Sequence, residues 1–168
     1  MAKRPASRPT LVLLVRHGKT PTTGAKLPGR APGLHLAEEG IAQAEAAAAR
    51  VAELDRVAAV YASPLERTRE TAKPIASAAG VRVRTHDVLL ELDGGDWTEK
   101  RLSDLRRRKE WTTVQRYPSG FTFPGGESFG AMQQRITGTL RRLVAAHPGE
   151  TIVAVSRAAP NRAAVAAA

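Results

Sequence analysis

Leu11-Val12-Leu13-Leu14-Val15-Arg16-His17-Gly18-Lys19-Thr20 is the stretch that decides how this chain is read. Its apolar run, Leu11 to Val15, meets Arg-His-Gly with no spacer. A run of that length predicts a strand buried on both faces. The switch at Arg16 marks where the strand leaves the core. Ligands of open α/β sheets sit outside the carboxyl ends of parallel strands. The reading therefore puts an imidazole and a guanidinium at a ligand position, with Gly18 behind them permitting close backbone approach. A surface histidine beside a turn glycine would look the same, because a tripeptide is a weak motif. The rest of the chain has to decide.

Outward from this stretch, the chain repeats the pattern. Residues 21–32 form a loop rich in Pro, Gly and Thr, a composition and position that suit a functional loop. From Glu38 to Leu54, Ile41, Ala44, Ala48, Val51 and Leu54 recur at helical spacing. Val57 to Ala62 is a second apolar run, so strand, helix and strand form a βαβ unit with parallel strands. That run leads into Ser63-Pro64-Leu65-Glu66-Arg67-Thr68-Arg69-Glu70-Thr71-Ala72. Here Ser63 predicts an N-cap, Pro64 the first helical residue and Glu66 the partner of a capping box. Arg67 then lies in a helical first turn, where free N–H groups and the dipole favour an anion. A surface arginine balanced by Glu66 or Glu70 is the structural alternative.

Pro74 predicts the end or a kink of that helix. Val81 to Arg84 reads as a short strand, and Val88 to Trp97 leads into a turn carrying Glu91, Asp93 and Asp96. Lys100 to Lys109 reads as a charged, solvated helix with i,i+4 pairs. Ser128 predicts the cap of a helix to about Ala146, with Met132, Ile136, Leu140 and Leu143 on one face. Thr151 to Val155 is the last strand, and Pro160 to Ala168 a short final helix. The order predicts an α/β protein: a three-layer α/β/α sandwich with a mainly parallel central sheet. Residues 1–9 read as a basic disordered tail and residues 10–168 as a single domain.

Composition narrows the partners. The chain has 168 residues, room for one domain with a real core. It has no cysteine, which excludes disulfides, thiolate metal sites and a cysteine nucleophile. The formal charge of +10 suits anionic partners. Aromatics make up 4% of residues and are not interleaved with the basic ones, which argues against nucleic-acid binding. The apolar run at Leu11 is too short for a signal peptide core or a membrane span, so the expectation is a cytoplasmic protein with no membrane partner.

Several separated segments resemble the histidine phosphatase superfamily, the phosphoglycerate-mutase-like group, and in particular its small actinobacterial-type phosphatases and phosphomutases. They are Val15 to Thr20, Ser63 to Ala72, and Glu91 ahead of Gly-Asp-Trp. Gly29-Arg30 through Leu36, Gly40, Gln43, Pro124 to Ser128, Arg135 and Ile152 to Ser156 follow in the family's order. The resemblance implies a phosphoglycerate-mutase-like fold and a phosphomonoesterase or mutase-like phosphotransferase acting on a small phosphorylated substrate, with no cofactor and no metal. It implies His17 as the nucleophile that becomes a phosphohistidine, a role that suits a neutral imidazole. Arg16 and Arg67 are implied as phosphate clamps, for which guanidinium is well shaped. Glu91 is implied as general acid and then base, with Asp93 and Asp96 as nearby alternatives. Thr23 falls where many members carry a phosphate-touching asparagine. Lys19, Lys26 and Arg30 fit a second acidic group on the substrate, and fit solvated loop charges as well.

Two departures qualify the resemblance. After the last strand the family has a second histidine, and here Arg157 stands in its place; His35, His86 and His147 lie elsewhere. Arg157 stays cationic and fits a phosphate-binding role, but guanidinium offers no neutral nitrogen. The alternative reading is therefore a catalytically impaired member that binds phosphorylated ligands with little turnover. The family also continues further at its C-terminus, so an uncovered sheet edge is expected here, with self-association left open.

Overall fold

The computed structural model describes residues 8–167, so residues 1–7 of the expected tail lie outside the described residues. Four strands form one sheet: β1 (Leu11–Arg16), β2 (Ala59–Ala62), β3 (Val83–Thr85) and β4 (Thr151–Ser156). Their order is β1-β4-β2-β3 and every pairing is parallel. The described residues also form six α-helices: α1 (Glu38–Ala52), α2 (Glu66–Ala78), α3 (Leu102–Leu105), α4 (Glu110–Arg116), α5 (Phe129–Ala146) and α6 (Ala158–Ala166).

Side chains alternate across a strand, so each face of the sheet needs its own cover. On one face Val60, Ala62, Val153 and Val155 pack against Ala48 and Val51 of α1 and Ala72, Ile75 and Ala76 of α2. On the other, Ala59, Tyr61, Ile152 and Ala154 pack against Ile136 and Leu143 of α5 and Ala164 of α6. The result is the expected three layers. A third cluster, around Trp97, Leu105, Phe121, Phe123 and Met132, lies where the excursion between β3 and β4 folds against the start of α5. Among the described residues no helix is long and apolar enough to cross a membrane.

The structure corrects several expectations. β1 is not buried on both faces: it pairs along one side only, with β4, and its apolar residues are half-buried, Leu11 being 49% exposed. The fully covered strands are β2 and β4, which lie inside the sheet with helices on both faces. The capping box around Ser63 does not form. α2 begins at Glu66 behind Leu65, and the Ser63 hydroxyl instead contacts Thr68 Oγ1 at 2.7 Å, inside the core. Pro74 does not end α2, which runs on to Ala78. Burial of Ala72, Ile75 and Ala76 around it holds the turn that the missing N–H would otherwise weaken. The charged helix at 100–109 breaks into the single turn of α3, a turn at Arg106–Lys109 and then α4. Only Leu102 and Leu105 have apolar surface to dock there, too little to hold ten residues helical.

Candidate active site

The parallel register brings three strand ends together. Arg16 of β1 pairs with Ser156 of β4, and the His17 N–H continues the ladder by donating to Ser156 O at 3.0 Å. His17 and Arg157 therefore leave neighbouring strands at the same level. β2 lies on the other side of β4, and its C-terminal end leads through Ser63–Leu65 into α2, where Arg67 is the second residue.

His17 is 6% exposed. Its Nδ1–H donates to Gly18 O at 2.6 Å. A carbonyl only accepts, so this bond fixes the proton on Nδ1 and leaves the lone pair on Nε2. Nε2 is buried and has no hydrogen-bond partner among the described residues. Burial, then the positive field of Arg157, pull the imidazole pKa down to about 4, with Arg67 and Arg16 adding to the effect and the Gly18 bond opposing it. The ring is neutral throughout the physiological range. Its backbone is held by close packing: the Gly18 N–H donates to Thr71 Oγ1 at 3.0 Å, and a Cβ on Gly18 would lie 2.3 Å from Gly40 O.

Arg67 is fully buried. Two of its nitrogens donate to backbone carbonyls of the 21–37 loop, to Ala31 O at 3.2 Å and Gly29 O at 2.8 Å. Nε is left without a partner among the described residues. Burial, then Arg157, bring its pKa down to about 10, so the guanidinium stays charged. Arg157 donates to the same Gly29 O at 3.2 Å. Its Nε lies 2.8 Å from Glu91 Oε2, an ion pair by distance, although the N–H is not aligned for a hydrogen bond.

Glu91 is 8% exposed and accepts from Leu92 N at 2.8 Å. Burial pushes its carboxyl above the usual carboxylate range, while Arg157, the Leu92 N–H, Arg67 and Arg135 pull it back. Its backbone is pinned. Arg30 Nε donates to Glu91 O at 2.8 Å. Arg135 donates to Val88 O and Leu90 O and forms a two-pronged pair with Glu127 at 2.9 Å on each prong. Glu127 also pairs with Arg30 at 3.0 Å. The Ser156 hydroxyl ties the end of β4 to Leu89 O at 2.7 Å.

The other sequence-derived candidates separate. Arg16 is exposed at the end of β1 and contributes its charge to the His17 field. The Thr23 hydroxyl accepts from Thr20 N and meets Thr20 Oγ1, both at 3.0 Å, so it closes a turn. The neighbouring Thr22, which the sequence did not single out, has a buried hydroxyl without a partner among the described residues. Asp93 accepts from Gly95 N at 3.0 Å, so of the three carboxylates in this turn Glu91 is the one paired with Arg157. Of the loop bases, Lys19 pairs with Glu39 at 2.5 Å and Arg30 is taken up by Glu91 O and Glu127. Glu127 and Thr71 lie in segments that carry the resemblance, but their positioning roles were not assigned from sequence, since Arg30 and Gly18, which they hold, are far away along the chain. Among the described residues no group of three or more His, Asp or Glu side chains is arranged to hold a metal ion. A neutral nitrogen lone pair, two buried guanidinium N–H groups without hydrogen bonds and a carboxyl of raised pKa make a setting for a tetrahedral anion.

Comparison with known proteins identifies the family. The family profile described as "Histidine phosphatase superfamily (branch 1)" matches residues 12–168. Phosphoserine phosphatase 1 of Hydrogenobacter thermophilus is 33% identical over 163 residues, 90% of this chain and 72% of that protein. A bifunctional protein of Mycobacterium tuberculosis is 34% identical over 159 residues, 90% of this chain; the chain spans only 42% of the length of that relative. Among solved structures, a mycobacterial glucosyl-3-phosphoglycerate phosphatase superposes with a TM-score of 0.82 at 25% identity, covering 93% of this chain and 77% of that one. With a profile match over nearly its whole length and relatives at this identity, the chain belongs to the histidine phosphatase superfamily.

Proposed function

We propose that this protein is a phosphomonoester hydrolase or mutase-like phosphotransferase acting on a small phosphorylated substrate, built as one domain over residues 10–168. The observation that carries the reading is His17: a buried neutral imidazole whose Nε2 lone pair is free, beside guanidinium groups. The substrate phosphoryl group lies between Arg67 and Arg157, with Arg16 adding positive charge at the rim. Nε2 attacks phosphorus, the bond from phosphorus to the ester oxygen breaks, and Glu91 gives its proton to the departing oxygen. The arginines stabilise the charge on the equatorial oxygens during transfer. Water then attacks the phosphohistidine and loses its proton to the Glu91 carboxylate, releasing phosphate and restoring both groups. If an alcohol takes the place of water, the same steps give a mutase-like transfer. Thr23 has no phosphate contact in this reading, because its hydroxyl is engaged with Thr20.

A second reading has a specific observation behind it. Arg157, 2.8 Å from Glu91, favours the carboxylate form of the group that must hold a proton, and a third guanidinium stabilises bound phosphate and phosphoenzyme. Both effects slow turnover while leaving binding strong. Phosphate release from a generic phosphomonoester, measured on wild type, His17→Ala and Arg157→His, separates the two. The enzyme reading expects clear wild-type turnover that is lost in His17→Ala. The impaired reading expects a near-background wild type and a gain in Arg157→His. Equal rates in wild type and His17→Ala, with no Arg67-dependent phosphate binding, overturn both.

A further inference from the structure

We propose that the carbon body of the substrate's alcohol occupies a cavity between the start of α5, one face of α6 and the turn after α4. The protein would then take phosphomonoesters of alcohols with a compact apolar body rather than polyols or amino acids. The proposal rests on the phosphoryl-transfer reading and adds the class of leaving group. The cavity has a volume of about 550 Å³, within the size range of small-molecule sites. Its wall includes Glu91, Phe129, Gly130, Met132, Ala159 and Ala163.

Two observations carry the assignment. The first is the place of Glu91. In an in-line displacement the leaving oxygen is opposite the attacking nitrogen, and the acid that protonates it must be within hydrogen-bond reach. The carbon skeleton attached to that oxygen extends away from phosphorus, past the acid. Glu91 is part of the wall of this cavity, so that skeleton finds apolar surface there. The second is Gly130. It is the second residue of α5 and part of the cavity wall. A Cβ built on it meets nothing closer than Ser128 Oγ at 3.9 Å, so no packing constraint requires the glycine. Its missing side chain keeps this wall open. Arg162, on the α6 face, also lines the cavity and is exposed.

Binding of non-hydrolysable phosphonates tests the proposal without requiring turnover. Calorimetry compares phenylpropylphosphonate with methylphosphonate on the intact chain, on Gly130→Phe and on Gly130→Leu, with inorganic phosphate as reference. Wild type is expected to bind the phenylpropyl compound on the order of tenfold or more tightly. The ratio is expected to fall to about threefold or less when either larger side chain fills the cavity, as one good apolar contact is worth roughly tenfold. Equal affinities for the two phosphonates in wild type overturn the proposal, as does a ratio that survives in folded Gly130→Leu. If neither phosphonate nor inorganic phosphate binds, the phosphoryl-transfer reading itself fails. Phosphate binding with no phenylpropyl preference removes the leaving-group assignment alone.

Discussion

Replacing His17 with Gln tests the electrostatics of the site through stability alone. The folded protein lowers the His17 pKa from 6.5 to about 4. At one pH unit per about 1.4 kcal/mol, the charged form is disfavoured in the fold by about 3 kcal/mol. The sign follows from proton counts. Above pH 6.5 the ring is neutral in both states and pH has no effect through it. Between 6.5 and 4 the unfolded chain carries a proton that the folded chain lacks, so stability falls as pH falls. Below pH 4 the loss is complete. Other groups titrate in the same window, carboxylates above all, and Gln cancels them by leaving all of them in place. Urea unfolding of wild type and His17→Gln at a series of pH values between about 7 and about 4 gives the difference curve. Wild type is expected to lose about 3 kcal/mol relative to the variant across that window. Curves that stay parallel would refute the argument, and so would a difference confined to the region around pH 6.5. In Arg157→Met the lower edge of the window should rise toward 6.5 and the total loss shrink, because the largest charge acting on the ring is gone.

Three further outcomes are expected. Glu91→Gln should lower kcat/KM for an alkyl phosphate by on the order of a hundredfold or more, but much less for a nitrophenyl ester whose leaving group departs without a proton; equal losses would remove the acid role. Gly18→Ala drives a Cβ to 2.3 Å from Gly40 O and should cost about 2–4 kcal/mol in urea unfolding, a loss that Gly40→Ala cannot relieve because its own Cβ would meet Lys19 O at 2.0 Å. Arg135→Met breaks a partly buried pair with Glu127 and the contacts to Val88 O and Leu90 O, and should destabilise by about 3 kcal/mol, with catalysis lost further as Glu91 shifts; a loss below about 1 kcal/mol would show that this arginine does not position the acid.

Much of this was legible in the sequence. The strand ends carrying His17 and Arg157, and the helix carrying Arg67, follow from apolar runs that stop abruptly at polar residues, and the structure puts all three at the C-terminal side of one parallel sheet. What the sequence could not convey was rank within that sheet. Leu11–Val15 looks as apolar as Ile152–Val155, yet the former lies at an edge and the latter at the centre, because pairing partners are set by distant segments. Local rules also lost to packing. Ser63 and Pro64 spell a helix start, but the core takes the Ser63 hydroxyl, and buried neighbours carry the helix past Pro74. At the site, Arg30 reads equally as a substrate contact or a solvated loop charge, because its partners, Glu91 O and Glu127, are 61 and 97 residues away. Thr23 shows the opposite case: its partner, Thr20, is so near that the hydroxyl closes its own turn.

The shared ladder of β1 and β4 has an evolutionary consequence. His17 and Arg157 are each the first residue past a register-locked pair, Arg16 and Ser156, so their separation is set by the spacing between strands and not by a loop. A change at position 157 therefore alters the chemistry opposite His17 without moving His17. Selection can try a second imidazole, a guanidinium or a neutral side chain there as a one-codon experiment on an unchanged scaffold. On the proposed mechanism, turnover and tight retention of phosphate then become two settings of a single position, reachable from each other in either direction.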